Sequence, residues 1–199
     1  MFQLLETIKL ENGILFNLKY HNLRFNNARH AIFGISEELS LENIICIPEE
    51  FRQGLYRCRI IYSEEIEKIE FIPHRLRSIQ SLKVVVDDQI EYSYKFVSRE
   101  PINQLFEKRE GCDEIIIVKN GLVADCSIGN LIFYDGQKWW TPSVPLLNGT
   151  RRMQLLEEGL VFEREISAGE IFSFQKVGII NVFYGLENLP EVPVSYIKK

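Results

Sequence analysis

Apolar and polar residues alternate weakly over residues 4–10, and the run ends at Asn12-Gly13, a pair that favours the tight turn of a β-hairpin. Residues 14–18 read as the returning strand. From Tyr20 onward the period lengthens: Leu23, Ala28, Ala31 and Ile32 recur at helical spacing, and Gly34 is placed to cap the end. A second short helix is predicted near residues 48–51, and residues 55–63 and 66–72 read as a strand pair that Pro73 interrupts. The basic, polar stretch 73–81 then reads as a crossover between two lobes.

The second lobe opens with a predicted strand over 82–86. Lys95 follows a polar stretch, and Glu100-Pro101 starts a helix, since proline is tolerated at the first helical position; Ile102, Leu105 and Phe106 form its apolar stripe. Residues 114–118 and 122–125 pair across Asn120-Gly121, and residues 131–134 and 138–140 pair across Asp135-Gly136. Two Asx-Gly turns in succession predict an antiparallel meander. A helix over 152–159 turns Met153, Leu155 and Leu156 inward, and 177–183 is a final buried strand. The expected division is a small α/β domain over 1–77 and a larger domain over 78–199 that contains Lys95.

With 199 residues, 46% of them hydrophobic, the chain can build one generous core or two small ones. A formal charge of -5, with bases scattered among acids, argues against nucleic acid as a partner, because backbone phosphates require a concentrated positive surface. No targeting segment and no apolar run long enough to span a bilayer is present, so the expected location is the cytoplasm, with no membrane partner. Cys46, Cys58, Cys112 and Cys126 show neither C-x-x-C spacing nor neighbouring histidines. They read as free thiols in a reducing compartment rather than as a metal site.

Four places carry candidate chemistry. Lys95 lies among Tyr92, Tyr94, Phe96 and Val97, an apolar setting that would free its amine as a nucleophile, although most lysines are simply solvated. Asp125 ends an apolar strand before Cys126-Ser127-Ile128-Gly129-Asn130; it fits a turn-capping aspartate or a buried acid facing a ring nitrogen. Gly149, Thr150 and Arg151 precede an amphipathic helix. Their amides can bind an anion at its N-terminus, or Thr150 can be a plain N-cap. Arg24, in His21-Asn22-Leu23-Arg24-Phe25, can reach the same anion or form a surface salt bridge. An amine for an aldehyde, an acid for a pyridine nitrogen and an anion turn match the three handles of pyridoxal 5'-phosphate.

In this order and spacing the pieces resemble the class IV aminotransferase family, the fold-type IV pyridoxal-phosphate enzymes. Leu5-Glu6-Thr7 with Asn12-Gly13 resembles the family's Phe-Glu-Thr strand, and the segment from His21 to Phe25 its His-x-x-Arg-Leu helix. Lys95-Phe96-Val97-Ser98-Arg99 is similar to the segment with the Schiff-base lysine. The pieces from Cys112 to Ile116, from Gly121 to Asp125 and from Cys126 to Phe133 are similar to successive strands. Trp140-Thr141-Pro142 matches a Thr-Pro step, and Leu147-Asn148-Gly149-Thr150-Arg151-Arg152 resembles the phosphate-binding Leu-x-Gly-x-x-Arg turn.

The resemblance implies an α+β, two-lobed fold: a small α/β domain, and a larger domain with a mostly antiparallel β core. It implies Lys95 as the catalytic lysine and cofactor contacts from Arg24, Asp125, Asn130, Gly149, Thr150 and Arg151. Substrate contacts are implied at Thr7, Arg99 and Asn181. It also implies a homodimer acting on a small amino substrate; the aromatic pairs Trp139-Trp140 and Phe183-Tyr184 look exposed enough to support one. Two departures stand out. The usual glutamate is Asp125, and the chain starts at the Phe-Glu-Thr strand, so the expected fold is N-terminally shortened. The Lys-x-x-x-Arg form is closer to aminodeoxychorismate lyases, which give 4-aminobenzoate and pyruvate for folate synthesis. The alternatives are an amino-acid aminotransferase of branched-chain or D-amino acid type, and a catalytically silent cofactor-binding or interaction protein.

Overall fold

The structure is a computed structural model describing residues 2–199, and the chain forms two compact units. One runs to Leu76 and takes in Tyr94–Ser98; the other comprises Arg77–Ser93 and Arg99–Lys199. No helix among the described residues is long and apolar enough to cross a membrane.

The first unit is an antiparallel sheet covered by helices. Strands β1 (Leu4–Glu11), β2 (Ile14–Leu15), β3 (Leu55–Tyr62) and β4 (Ile66–Pro73) lie in the order β2-β1-β3-β4. Asn12 and Gly13 both take positive φ, as the predicted hairpin requires. The returning strand has two residues rather than five, because Asn17 turns left-handed (φ 64°) and launches helix α1 (Leu18–Phe33), which the left-handed Gly34 ends as expected. Helix α2 (Leu41–Ile44) was not foreseen, and the expected helix at 48–51 is one 3-10 turn at Glu49–Phe51. Leu4, Ile8 and Leu10 face Phe25, Ala28 and Leu41, and the register sets Cys58, Ile60 and Tyr62 beside them.

Glu6 is the one charged residue in that inward row of β1. Helix α1 brings it two partners: His21 Nδ1 at 2.6 Å, and Arg24, whose Nε and Nη2 donate at 2.8 and 2.6 Å. Burial alone would raise the Glu6 carboxyl, but the Arg24 charge and the His21 hydrogen bond outweigh it and bring the group to about 2. Burial lowers His21, so a neutral imidazole donates its Nδ1–H to an ionised Glu6.

The segment containing Lys95 departs from the expected division. It belongs to the first unit, not the larger one. Strand β2 covers only the Leu10 end of one edge of β1. At the other end Leu4 bridges Phe96, Leu5 N donates to Lys95 O (2.8 Å) and Val97 N to Gln3 O (3.0 Å). Tyr94 and Phe96 pack onto the same core.

The second unit holds two sheets. One runs β13 (Ile197–Lys198), β5 (Leu82–Val86), β6 (Glu114–Lys119), β7 (Leu122–Val123), with β5 parallel to β6 through helix α3 (Glu100–Glu107). The other runs β10 (Phe162–Arg164), β9 (Trp139–Pro142), β8 (Asn130–Tyr134), β11 (Lys176–Ile180), β12 (Glu191–Pro193). Leu82, Ile116 and Val118 of the first share a core with Leu131, Phe133, Val177 and Ile179 of the second. The two Asx-Gly hairpins form, but not as one meander, because the chain changes sheet between them. The change occurs at Cys126–Gly129, which is closed by Cys126 N to Gly129 O (3.0 Å). The turn is anchored by the Ser127 amide and hydroxyl, which donate to buried Glu114 at 3.1 and 2.9 Å.

Three further expectations change. Strand β11 stops at Ile180 because Asn181 turns the chain, its Oδ1 accepting from the Phe183 and Tyr184 amides. Two short strands follow it. Phe183 and Tyr184 are buried, and Trp139 and Trp140 are half-buried against the second unit's cores, so neither pair is an open aromatic surface. Helix α4 (Thr150–Glu157) starts two residues early and buries Thr150, Arg152 and Leu155, leaving Met153 and Leu156 half-buried.

The Glu6 cluster yields a stability prediction. The folded value lies below the ordinary 4.5, so ionised Glu6 stabilises the first unit above that pH, and the contribution disappears as pH falls toward 2. Glu6→Gln is expected to cost about 3 kcal/mol at pH 7. Denaturant titrations should show the gap from wild type closing between about pH 4.5 and 2; a gap independent of pH contradicts the ionised pair.

Candidate active site

Asp125, at the end of the β7 segment, is 4% exposed, and both of its oxygens are engaged. Oδ1 accepts from Asn130 Nδ2 at 2.6 Å and Oδ2 from the Leu147 amide at 2.9 Å. Burial raises the carboxyl against these two donors and the charge of Arg152, and the outcome is about 6 instead of the ordinary 3.8. The acid therefore exchanges its proton close to neutrality. Asp125 is buried and at the same time braces the turn to Asn130.

Leu147 opens the turn that leads to α4. Its carbonyl accepts the second hydrogen of Asn130 Nδ2 at 2.8 Å, so one residue's backbone joins the acid, the asparagine and the turn. Gly149 comes next, and a Cβ there would lie 2.0 Å from Asn130 Oδ1, which leaves glycine as the residue that fits. Gly149 is the N-cap of α4 and supplies no side chain to the first-turn amides; the first turn holds no acid. Thr150 is therefore inside the helix rather than its cap. Arg152 fastens the turn from below, donating Nη1 to Asn148 Oδ1 (3.2 Å) and Nη2 to Pro142 O (2.8 Å) and to Glu163. Arg151 lies along the helix, bonded to Gln154 at 3.0 Å and paired with Glu187 at 3.7 Å, and what it offers an anion is its backbone amide.

The other site residues divide by unit. Arg99 donates to the carbonyl of Ser127 in the turn between Asp125 and Asn130, so its guanidinium braces that turn and does not pair with Glu100. Asn181 donates to Ile128 O at 3.1 Å and accepts from Phe183 and Tyr184. Both ends of its amide make hydrogen bonds within the protein. In the first unit, Thr7 sits opposite Arg59 on the face of β1 away from Glu6. Arg24 holds Glu6 along one edge of its guanidinium, a half-buried pair and not a surface one. Lys95 is stitched to β1 through its carbonyl, and its charge acts on His21.

Sequence reasoning missed Glu6 and Glu114. The signal for Glu6 was its phase with Leu4, Ile8 and Leu10, since an acid at an inward position requires a partner. Glu114 begins a strand whose next four residues are apolar, and burial raises its carboxyl against the Ile115 and Ser127 donors.

The donor set of the second unit fits two ends of pyridoxal phosphate: an acid of raised proton affinity for the ring nitrogen, and uncapped helix amides beside a glycine for the phosphate. Lys95 is the amine of matching sequence for the aldehyde.

The profile of the amino-transferase class IV family matches residues 103–186. A Haemophilus influenzae protein of uncharacterized function is 42% identical over 188 residues, covering 94% of this chain and all of the relative. A crystal structure of a Haemophilus somnus protein, provisionally named a 4-amino-4-deoxychorismate lyase, is 36% identical. It superposes with a TM-score of 0.86 over 94% of this chain and 98% of its own. A pyridoxal-phosphate-bound aminotransferase from Mycobacterium tuberculosis, itself hypothetical, is 17% identical with a TM-score of 0.76, over 96% of this chain and 80% of its own, and shares the fold. Its α+β fold, the acid and glycine turn, and these likenesses agree: the chain is a member of the amino-transferase class IV family.

Proposed function

We propose that this protein is a pyridoxal-phosphate-dependent enzyme acting on a small amino substrate, and specifically a 4-amino-4-deoxychorismate lyase. The observation that carries the cofactor reading is the Leu147 backbone, whose N–H and carbonyl tie the Gly149 turn to Asp125 and Asn130. The lyase reading is supported by the likeness to the Haemophilus somnus protein of that provisional name and by the Lys95-x-x-x-Arg99 spacing.

When bound, pyridoxal phosphate supplies an electron sink next to the substrate amine. Asp125, ionised above about pH 6, would hold a proton on the pyridine nitrogen. The amides of Thr150 and Arg151 would hold the phosphate, and Arg24 is the further phosphate contact that the family resemblance implies. Lys95 would hold the aldehyde and supply the amine that takes the proton from C4 of the substrate as general base. Loss of that proton and cleavage of the C3–O bond release enolpyruvate, which gains a proton to become pyruvate, while the ring becomes aromatic as 4-aminobenzoate. Each substrate gives one of each product, and no keto-acid acceptor is consumed. A homodimer in the cytoplasm is part of the same proposal.

Borohydride treatment after addition of pyridoxal phosphate should fix the label on Lys95, and Lys95→Ala should carry none; label on another lysine contradicts the assignment. With 4-amino-4-deoxychorismate, pyruvate and 4-aminobenzoate should appear in equal amounts without added keto acid. Accumulation of pyridoxamine phosphate with a keto acid would favour an aminotransferase instead.

Asp125→Asn should lower the rate by about 100-fold or more, since it removes the charge that keeps the ring nitrogen protonated. Activity of the wild type should rise with pH through an acid limb at or below about 6, because a neighbouring pyridinium favours the ionised carboxylate. A pH–rate profile that is flat through that region argues against the role.

A further inference from the structure

We infer that Asn130 is a positioning residue that locks the acid Asp125 and the anion turn at Gly149 into one piece, so that displacing either displaces the other. The inference rests on the cofactor reading above for its catalytic meaning, but the mechanical coupling belongs to the protein alone.

The geometry is a closed ring. Asn130 Nδ2 gives one hydrogen to Asp125 Oδ1 (2.6 Å) and the other to Leu147 O (2.8 Å), and the Leu147 amide closes the circuit onto Asp125 Oδ2 (2.9 Å). Two acceptors flank that end of the side chain, which settles which amide atom is nitrogen. The backbones of Asp125 and Asn130 also bridge. Both amide hydrogens are thus committed within the protein in a residue only 5% exposed, and none is left to donate to a ligand. This differs from the direct cofactor contact that the family resemblance implied.

The other end of the side chain touches the turn by packing alone. Asn130 Oδ1 lies where a Cβ on residue 149 would be, at 2.0 Å, so the side chain and the glycine backbone occupy adjoining space with no slack. A Cβ at 149 cannot be accommodated by moving the asparagine outward without lengthening its bond to Asp125. Conversely, removing the Asn130 amide leaves Asp125 Oδ1 buried without that donor and Leu147 O without its acceptance. The charged and titratable groups acting on the Asp125 carboxyl are Arg152 of α4 and the adjoining Cys126 thiol, and both stay in place in the substitutions below.

The test is carried out on cofactor-free protein by following the Asp125 carboxyl carbon in a 13C NMR titration, with Asp125→Asn to assign the signal. Asn130→Ala should raise the midpoint by about one pH unit, through loss of a donor to the charged form. Gly149→Ala touches neither carboxyl oxygen, yet it should raise the midpoint as well, and the double variant should shift it by less than the sum of the two. Each single variant should also weaken pyridoxal phosphate binding, measured by fluorescence titration, by about tenfold. An Asp125 midpoint unchanged in Gly149→Ala, with that variant folded by circular dichroism, overturns the coupling even if cofactor binding falls, because a merely local role of the glycine predicts that pattern. If Asn130→Ala does not fold, Gly149→Ala alone still decides. Wild-type protein that binds no pyridoxal phosphate would overturn the cofactor reading and leave the titration result standing.

Discussion

The Leu147 backbone is the constraint on which the candidate site depends. Its N–H is taken by Asp125 and its carbonyl by Asn130, so the two peptide groups that meet at Leu147 are both tied to the acid and its asparagine just ahead of α4. Everything nearby supports them from another side: Arg152 holds Asn148, Gly149 makes room for Asn130, and the Cys126–Gly129 turn is tied by Glu114 and Arg99. The residues that do this are mostly not ones that would touch a ligand. They hold the acid and the amides in place before anything binds, which is where electrostatic catalysis obtains its advantage.

Three buried acids show how partner chemistry decides ionisation. Glu6, Glu114 and Asp125 are all removed from water, which by itself raises each carboxyl. Glu6 meets a full charge, the two-pronged Arg24, together with the His21 N–H, and ends well below its ordinary value. Glu114 meets mainly amide and hydroxyl dipoles and ends above it. Asp125 meets two neutral amides and the charge of Arg152, whose guanidinium is already shared with Glu163, and it also ends above. The first arrangement suits a fixed structural anion. The last leaves a carboxyl that a neighbouring cation would tip to its ionised form.

Where structure follows from local pattern, the sequence was readable. The strand pair β3 and β4, the Asn12-Gly13 hairpin and the Gly34 stop of α1 each rest on a period or a backbone conformation visible within a few residues. The order of short motifs along the chain made the family legible as well. What could not be read was set by distant contacts. The split of the two Asx-Gly hairpins between sheets depends on Ser127 meeting Glu114 across the turn. The membership of Lys95 in the first unit depends on an edge of β1 that β2 leaves uncovered. Arg152 is buried because Pro142, Asn148 and Glu163, all outside α4, accept its hydrogens. The resemblance implied substrate contacts at Asn181 and Arg99; that their polar atoms also brace backbone turns shows only in the fold.

The central claim is that Lys95, Asp125 and the turn at Gly149 serve one pyridoxal phosphate. Diffraction from crystals grown with that cofactor tests it most directly. The account predicts continuous density from Lys95 Nζ into the ring, with the ring nitrogen about 3 Å from Asp125 and the phosphate against the amides of Thr150 and Arg151. Density for the cofactor that leaves Lys95 untouched, or that places the phosphate away from α4, would contradict it.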